Sequence, residues 1–205
     1  MTQAQLIPST LDEETARAEV YGLLAALYYA APSADLHENM RIAVTEAPAA
    51  GALLESSWGE LVAAARAQSL ADIAQEYDAL FGGVGKPELY LFGSHYLSGF
   101  LNEKPLAALR TDIAALGLAR DETMPETEDH VAHLCEVMRY LIAGDDVEVA
   151  NLTRQREFFA RHVQPWLPMM CDAVMQHPKA HFYRALTVFT QAFISVEAQG
   201  FDMLA

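Results

Sequence analysis

Apolar residues recur at spacings of three and four along most of the chain, a pattern typical of amphipathic helices. Val20, Leu23, Leu24 and Leu27 share one face of a first helix, which a capping-box pattern at residues 10–13 opens and which ends near residue 30. Alternation of apolar and polar residues is not found over the length of a strand, and Ala and Leu outnumber Val and Ile. The sequence therefore predicts an all-α, single-domain bundle of about nine or ten helices spanning residues 1–205.

Residues typical of helix ends divide the rest of the chain. Ser33 and Ser69 precede helical periodicity and are expected to cap helices. Pro105 fits the first turn of another helix, and Gly117 fits its end. The helices predicted after the first lie near 34–46, 54–65, 69–81, 94–102, 105–116, 126–143, 146–163, 165–176 and 179–198.

The segment from residue 82 to residue 92 breaks this periodicity. It holds three glycines and a proline, which predict turns, and its apolar residues Tyr90, Leu91 and Phe92 have no helical face to bury them. Its Gly-Lys pair resembles a phosphate-binding loop, but proline follows the lysine where that loop needs Ser or Thr. Because exposed apolar patches usually mark partner sites, we expect this loop and Tyr96 to contact a partner.

Acidic and imidazole side chains are densest between residues 126 and 133. Glu126 or Thr127 is expected to open a helix here, since acidic residues suit the positive end of the helix dipole. On that helix the neighbours Asp129 and His130 would diverge by about 100° and could not both face the core. The Glu-x-x-His pairs of di-iron bundles are not matched, so no metal site is predicted. A small metal-dependent or hydrolytic helical enzyme using Asp129 and His130 stays the alternative function.

Charge and composition narrow the classes of partner. The 205 residues include 13 Lys and Arg against 28 Asp and Glu, a net charge of −15 that disfavours nucleic acid and anionic lipid. Cys135 and Cys171 lack the spacing of a zinc site or a disulfide framework. The N-terminus has no secretory pattern, and the uncharged stretch from Val20 to Ala34, at 15 residues, is too short to span a membrane. We therefore expect a cytoplasmic protein without stable membrane insertion.

A series of short motifs resembles the TorD/DmsD family of cytoplasmic chaperones. Their order and spacing match that family over about residues 70–190, and the N-terminal helices fit it by pattern. The motifs are Glu76-Tyr77-Asp78-Ala79-Leu80-Phe81-Gly82, Gly93-Ser94-x-Tyr96, Leu106-Ala107-Ala108-Leu109-Arg110, Glu126-x-x-Asp129-His130, Arg161-His162-x-x-Pro165-Trp166 and His181-Phe182-Tyr183-Arg184-Ala185-Leu186.

The resemblance implies a chaperone, not an enzyme, that holds no cofactor of its own. Such proteins bind the twin-arginine signal peptide and the apoprotein of a molybdenum-cofactor enzyme, and they hold back its export until the cofactor is inserted. The family often has proline where this chain has Thr127, and its loop is commonly rich in Pro and Trp. These differences concern which molybdoenzyme is the client. The oligomeric state stays open, with a homodimer as one alternative, and so does nucleotide binding.

The same resemblance assigns the residues expected to bind the signal peptide. Asp129 is expected to meet an arginine of the peptide, and His130 to pack or form a hydrogen bond beside it. A purely structural role for these residues, in a helical scaffold, is the third hypothesis. The full expected set is Tyr77, Leu80, Phe81, Phe92, Ser94, Tyr96, Glu126, Asp129 and His130.

Overall fold

Helices form nearly all of the regular structure in the computed structural model, which describes residues 10–45, 53–82, 86–121 and 123–203. Within those ranges the elements are α1 (Thr10–Tyr29), α2 (Ala34–Ile42), α3 (Glu55–Ala67), α4 (Leu70–Leu80), α5 (Gly93–Ser98), α6 (Lys104–Ala115), α7 (Val131–Ala143), α8 (Leu152–Phe158), a π-helical segment (Phe159–Val163), α9 (Leu167–Gln176) and α10 (Phe182–Asp202). The described chain has no strand, only an isolated antiparallel bridge between Phe92 and His130. The predicted all-α bundle is confirmed.

The predicted helix caps are confirmed at several positions. The Ser33 hydroxyl accepts a hydrogen bond from the Leu36 amide at 3.2 Å, which caps α2. Ser69 and Asp72 form a reciprocal capping box at the start of α4. Beyond the end of α6, Gly117 adopts φ +72°, a left-handed conformation that glycine reaches without steric cost. The side chains of residues 10–12 in the first predicted capping box, and Gly83 and Gly85 of the predicted loop, lie outside the described residues.

The core forms where α1, α7 and α10 bring their apolar faces together. Helix α1 packs along α7, while α10 packs against α3 and α9. The largest fully buried side chains include Tyr21 and Tyr28 of α1, Phe182 and Tyr183 of α10, and Trp166 before α9. Because α1 and α10 both supply buried side chains, the core links the first helix of the described chain to the last. None of the helices in the described ranges combines the length and hydropathy needed to cross a bilayer.

Helix α2 ends at Ile42 instead of near residue 46, and α10 covers Phe182–Asp202 instead of 179–198. Three further helix boundaries differ from the sequence predictions. Helix α5 ends at Ser98 because Gly99 takes up φ +81° and closes the helix with a hydrogen bond to the His95 carbonyl. The helix expected over 146–163 starts only at Leu152, capped by the Asn151 side chain, and finishes as the π-helical segment. Its wider turn carries Arg161 and His162, whose side chains meet Asp112 of α6.

The third difference lies in the acidic motif. Helix α7 begins at Val131, not at residue 126 or 127, and its N-cap is His130 in extended conformation. The backbone at 129–131 instead pairs with the loop before α5, since the Gly93 amide donates to the Asp129 carbonyl and the Val131 amide to the Leu91 carbonyl. The expectation that Asp129 and His130 could not both be buried is therefore wrong, because it assumed helical geometry. Their exposed fractions are 3% and 4%.

Candidate functional site

Four half-buried aromatic residues, Tyr29, Tyr77, Phe81 and Phe92, form what we call the aromatic row. The Tyr77 and Phe81 ring centroids are 5.4 Å apart, and the Tyr77 hydroxyl donates to the Tyr29 carbonyl at 2.7 Å. The Tyr29 ring lies 6.2 Å from His130, whose ring is 5.0 Å from that of Phe92. The loop predicted to carry an apolar contact surface thus supplies one end of the row, and α4 supplies the other.

Carboxylates adjoin the middle of the aromatic row. Burial raises the pKa of Tyr77 to about 12, and the negative charges of Glu126 and Asp78 raise it in the same direction. Glu126 is half-buried and Asp78 is exposed. Apolar rings beside negative charge can accommodate a ligand that combines apolar and cationic groups.

Asp129, which the sequence assigns to an arginine of the ligand, is engaged inside the protein. Its Oδ2 accepts a hydrogen bond from the Ser94 amide at 2.8 Å, and its Oδ1 accepts one from the Thr127 hydroxyl at 2.6 Å. The first bond caps α5, whose own N-cap residue, Phe92, has no polar side-chain group. Thr127, where the family often has proline, thus supports Asp129 through a hydroxyl that proline lacks.

The Nδ1 atoms of His130 and His133 have opposite roles: the first accepts a hydrogen bond and the second donates one. His130 Nδ1 accepts the Ala132 amide at 3.2 Å, and burial, together with the nearby His133, lowers the pKa of His130 to about 3. Neutral His130 therefore carries its proton on Nε2. His133 Nδ1 lies 3.0 Å from the Thr127 carbonyl oxygen, which can only accept, so His133 Nδ1 carries a proton and donates to that carbonyl.

Ser94 and Tyr96 lie on α5, next to the residues that precede α9. The Tyr96 ring stacks on Trp166 with centroids 5.7 Å apart, and its hydroxyl donates to the Tyr90 carbonyl at 2.9 Å. Burial raises the pKa of Tyr96 above its ordinary value. Gly93 packs so closely that a Cβ there would lie 3.0 Å from the Trp166 ring. These contacts fix α5 on the bundle.

A cavity of about 190 Å³ opens between α5, α6 and the π-helical segment, and Ser94 and Asp129 line it. Leu97 and Ala108 form an apolar part of the cavity wall. Arg161 also lines the cavity, and its exposed side chain pairs with Asp112. A crevice therefore reaches Asp129, although this residue is almost fully buried. Eight of the nine expected site residues fall into two groups: those of the aromatic row with Glu126 and His130, and those of the cavity and α5. Leu80 is fully buried in the core.

Unsatisfied polar atoms concentrate in this region. Within the described ranges, three buried side-chain nitrogen or oxygen atoms lack a hydrogen-bond partner: Ser94 Oγ, His133 Nε2 and Tyr183 Oη. Ser94 lines the cavity. The ring centroids of His133 and Tyr29 are 6.1 Å apart, and those of Tyr183 and Phe81 are 5.1 Å apart. A buried polar atom without a partner costs about 1–3 kcal/mol, and an ordered water or a bound ligand can supply the missing partner.

Glu76 is a residue of the site that the sequence analysis left without a role. Its buried carboxylate accepts the amides of His181, Phe182 and Tyr183 at 2.8, 3.1 and 2.8 Å, which caps α10 from α4. The sequence holds a signal for this contact, since Glu76 interrupts the apolar stripe that runs from Ile73 to Leu80. His133 was noted in the sequence but not assigned to the site.

The residues described contain no group of three or more His, Cys, Asp or Glu side chains placed to hold a metal ion. The site combines the aromatic row, the carboxylates of Glu126 and Asp78, and the cavity beside Asp129, on an all-α bundle.

Comparison with known proteins places this bundle in a family. A profile of the family described as nitrate reductase delta subunit matches residues 47–172. The chain belongs to that family, and its resemblance to the TorD/DmsD chaperones is confirmed.

Three curated relatives are similar over most of the chain, and each is named chaperone protein TorD. The protein from Vibrio cholerae serotype O1 is 26% identical over 140 residues, covering 65% of this chain and 64% of its own length. The one from Vibrio parahaemolyticus is 24% identical over 135 residues, covering 62% and 63%. The one from Shewanella loihica is 26% identical over 143 residues, covering 64% of each. The chain thus spans somewhat less than two thirds of the length of these relatives.

Proposed function

We propose that this protein is a cytoplasmic chaperone that binds the twin-arginine signal peptide and the apoprotein of a molybdoenzyme, and that it holds back export until the cofactor is inserted. Membership of the family and the name of its curated relatives support the general role. The observation that carries the peptide-binding role is the aromatic row, whose half-buried rings lie beside the charges of Glu126 and Asp78.

A twin-arginine signal peptide joins a basic region to an apolar helix, and the site offers a partner for each. The aromatic row provides apolar surface, while Glu126 and Asp78 provide negative charge beside Tyr77. Burying about 400 Å² of apolar surface at about 25 cal/mol per Å² gives roughly 10 kcal/mol before the costs of association. After those costs, micromolar affinity, about −8 kcal/mol, is the upper expectation. Such affinity suits a chaperone that must later release the peptide.

Asp129 is proposed to receive an arginine through the cavity. A guanidinium entering past Leu97 and Ala108 would approach Asp129 and the unpartnered Ser94 hydroxyl. Each Asp129 oxygen accepts one hydrogen bond within the protein and keeps a further lone pair. Asp129 would then serve both the fold of α5 and the ligand.

Calorimetric titration with a synthetic twin-arginine signal peptide tests this proposal. Phe92→Ala should weaken binding by about tenfold or more, since a buried aromatic anchor contributes more than 1 kcal/mol. The matched control is Phe100→Ala, because Phe100 is 70% exposed and lies outside the aromatic row. Glu126→Gln should weaken binding at low salt and less at high salt, with exposed Glu60→Gln as its control. Equal affinities of the Phe92 and Phe100 variants, or no heat with the unmodified protein, would contradict the proposal.

A further inference from the structure

We propose that a groove between α1 and α10 binds a basic amphipathic helix of a partner protein, at a second site separate from the aromatic row. This α1–α10 groove has a volume of about 630 Å³, within the range typical of ligand sites. Residues of α1 and α10 line the groove, together with Leu53 and Leu54 before α3 and Leu152 of α8.

The walls of the groove are mainly apolar. Val20, Val196 and Phe201 come from the two helices, and Leu152 from the start of α8. Met203 adds a side chain that is 82% exposed. Apolar surface of this kind gains free energy when a partner covers it, at about 25 cal/mol per Å².

The charges on the floor of the groove are neutralised within the protein. Arg17 donates to both carboxylate oxygens of Glu197, at 2.7 and 2.8 Å, and also to the Gln155 side chain at 3.1 Å. Tyr21 donates to the same carboxylate at 3.1 Å. A ligand in the groove therefore needs no charged group to balance the charges of Arg17 and Glu197. The charge left to attract a partner is that of Glu13 and Glu14, two exposed carboxylates beside the groove.

Gly200 leaves space at the wall of the groove. This residue lies inside α10, where glycine costs roughly 0.5–1 kcal/mol relative to alanine. A Cβ at this position would meet no described atom within 4 Å, so packing among the described residues does not require glycine. A larger side chain here would instead project into the groove that Gly200 lines. The absent side chain thus leaves space that a ligand can occupy.

Charge selects among the occupants of such a groove. A net charge of −15 opposes a second copy of this chain and an anionic lipid surface, whereas basic residues complement Glu13 and Glu14. A helix with apolar residues at i, i+3, i+4 and i+7 presents anchors along one face, which suits an elongated groove between two helices. Twelve residues of α1 separate Arg17 from Tyr29, or about 18 Å at the helical rise, so the groove and the aromatic row can be occupied together.

The probe is a fluorescent synthetic helix of roughly 15 residues, about four turns, with leucines on one face and lysines on the other. Its binding to the full chain is followed by fluorescence anisotropy. Gly200→Trp should fill the groove and weaken binding by about tenfold or more. Gly59→Trp is the matched control, because Gly59 is also helical, also has open space around its Cβ, and lies outside the groove. Reversing charge in Glu13→Lys/Glu14→Lys, on the exposed surface, should weaken binding at low salt. Circular dichroism checks that this variant folds, because Glu13 belongs to the predicted capping box of α1.

Several outcomes overturn the proposal. Equal affinity of the unmodified protein and both the Gly200 and the Glu13/Glu14 variants would do so, as would equal binding of a probe with glutamates in place of lysines. Displacement of the probe by a twin-arginine signal peptide would place both ligands at one site. A dimer that Gly200→Trp dissociates would make the groove a self-interface. Binding of the signal peptide to Gly200→Trp is measured in parallel, so failure of the groove is distinguished from failure of the proposed function.

Discussion

Glu76 provides a direct test of how the fold depends on one motif residue. Its carboxylate, on α4, accepts three backbone amides at the start of α10, and two of them belong to the fully buried residues Phe182 and Tyr183. Glu76→Ala would leave the His181 and Tyr183 amides without partners, whereas the Phe182 amide lies 3.0 Å from the Gln68 side-chain oxygen. It would also remove a negative charge from the positive end of the helix dipole. We expect this substitution to destabilise the whole bundle, because α10 packs against α3, α4 and α9.

The magnitude follows from the bonds that are lost. A hydrogen bond to a charged group contributes about 1.5–3 kcal/mol, and a buried amide left unpaired costs about 1–3 kcal/mol. Because the three bonds share one carboxylate and are not additive, we expect a loss of about 3 kcal/mol in the free energy of unfolding. At about 2–4 °C per kcal/mol for a chain of this size, Tm should fall by roughly 6–12 °C. Glu76→Gln keeps one acceptor oxygen and should lose about half as much.

Urea and thermal denaturation followed by circular dichroism measure these losses. Glu60→Gln, on the exposed face of α3, is the control and should change the free energy of unfolding by less than about 0.5 kcal/mol. If Glu76→Ala destabilises the protein no more than Glu60→Gln does, the amides at the start of α10 do not depend on this carboxylate, and the reasoning from distance and burial fails.

Three further predictions use the same denaturation measurements. Gly93→Ala puts a Cβ 3.0 Å from the Trp166 ring and should cost about 1–3 kcal/mol; no loss would mean that the ring moves freely. Thr127→Val removes a partly buried hydroxyl donor and should cost about 1–2 kcal/mol. The exposed Thr123→Val should cost less than about 0.5 kcal/mol, and equal losses would contradict this. His130 has a pKa of about 3 in the folded protein against 6.5 ordinarily, so the stability it contributes above pH 6.5 is lost as pH falls towards 3. His130→Asn, which keeps a capping oxygen, should flatten stability against pH in that window, and an unchanged slope would contradict it.

Much of the fold could be predicted because local patterns determine it. Ser33 and Ser69 cap helices within their own segments, and Gly117 ends α6 by its own conformation, so periodicity and capping rules sufficed. The start of α7 could not be predicted in this way. Residues 129–131 pair with the loop before α5, a contact between segments some 35 residues apart that no local rule contains. This distant pairing outweighed the helical preference of the acidic segment.

The sequence predicted which residues lie at the candidate site better than it predicted how those residues are arranged. Phe92, Tyr77 and Phe81 lie in one row, as a shared binding surface requires, although they come from two segments. Burial of Asp129 could not be foreseen, because it depends on Ser94 and on a turn at Thr127. The roles of the predicted residues in binding stay predictions, as does the assignment of residues 1–205 to one domain.

The polar residues of the motifs act at helix ends, which affects how the site can be tested. Glu76 caps α10, Asp129 caps α5, and His130 caps α7, while the Tyr77 hydroxyl binds the last carbonyls of α1. The same side chains that carry the family resemblance therefore hold four helix ends around the aromatic row.

A substitution at one of these residues changes the shape of the site together with its chemistry. If Asp129→Ala lost peptide binding, the loss could come either from a missing contact with the ligand or from a displaced α5. Asp129→Asn keeps an acceptor for the Ser94 amide and removes the charge, so it separates the two causes. If Asp129→Asn unfolds like the unmodified protein and binds the signal peptide about tenfold more weakly at low salt, the charge itself contacts the ligand. If its affinity is unchanged, Asp129 acts only by holding α5 in place.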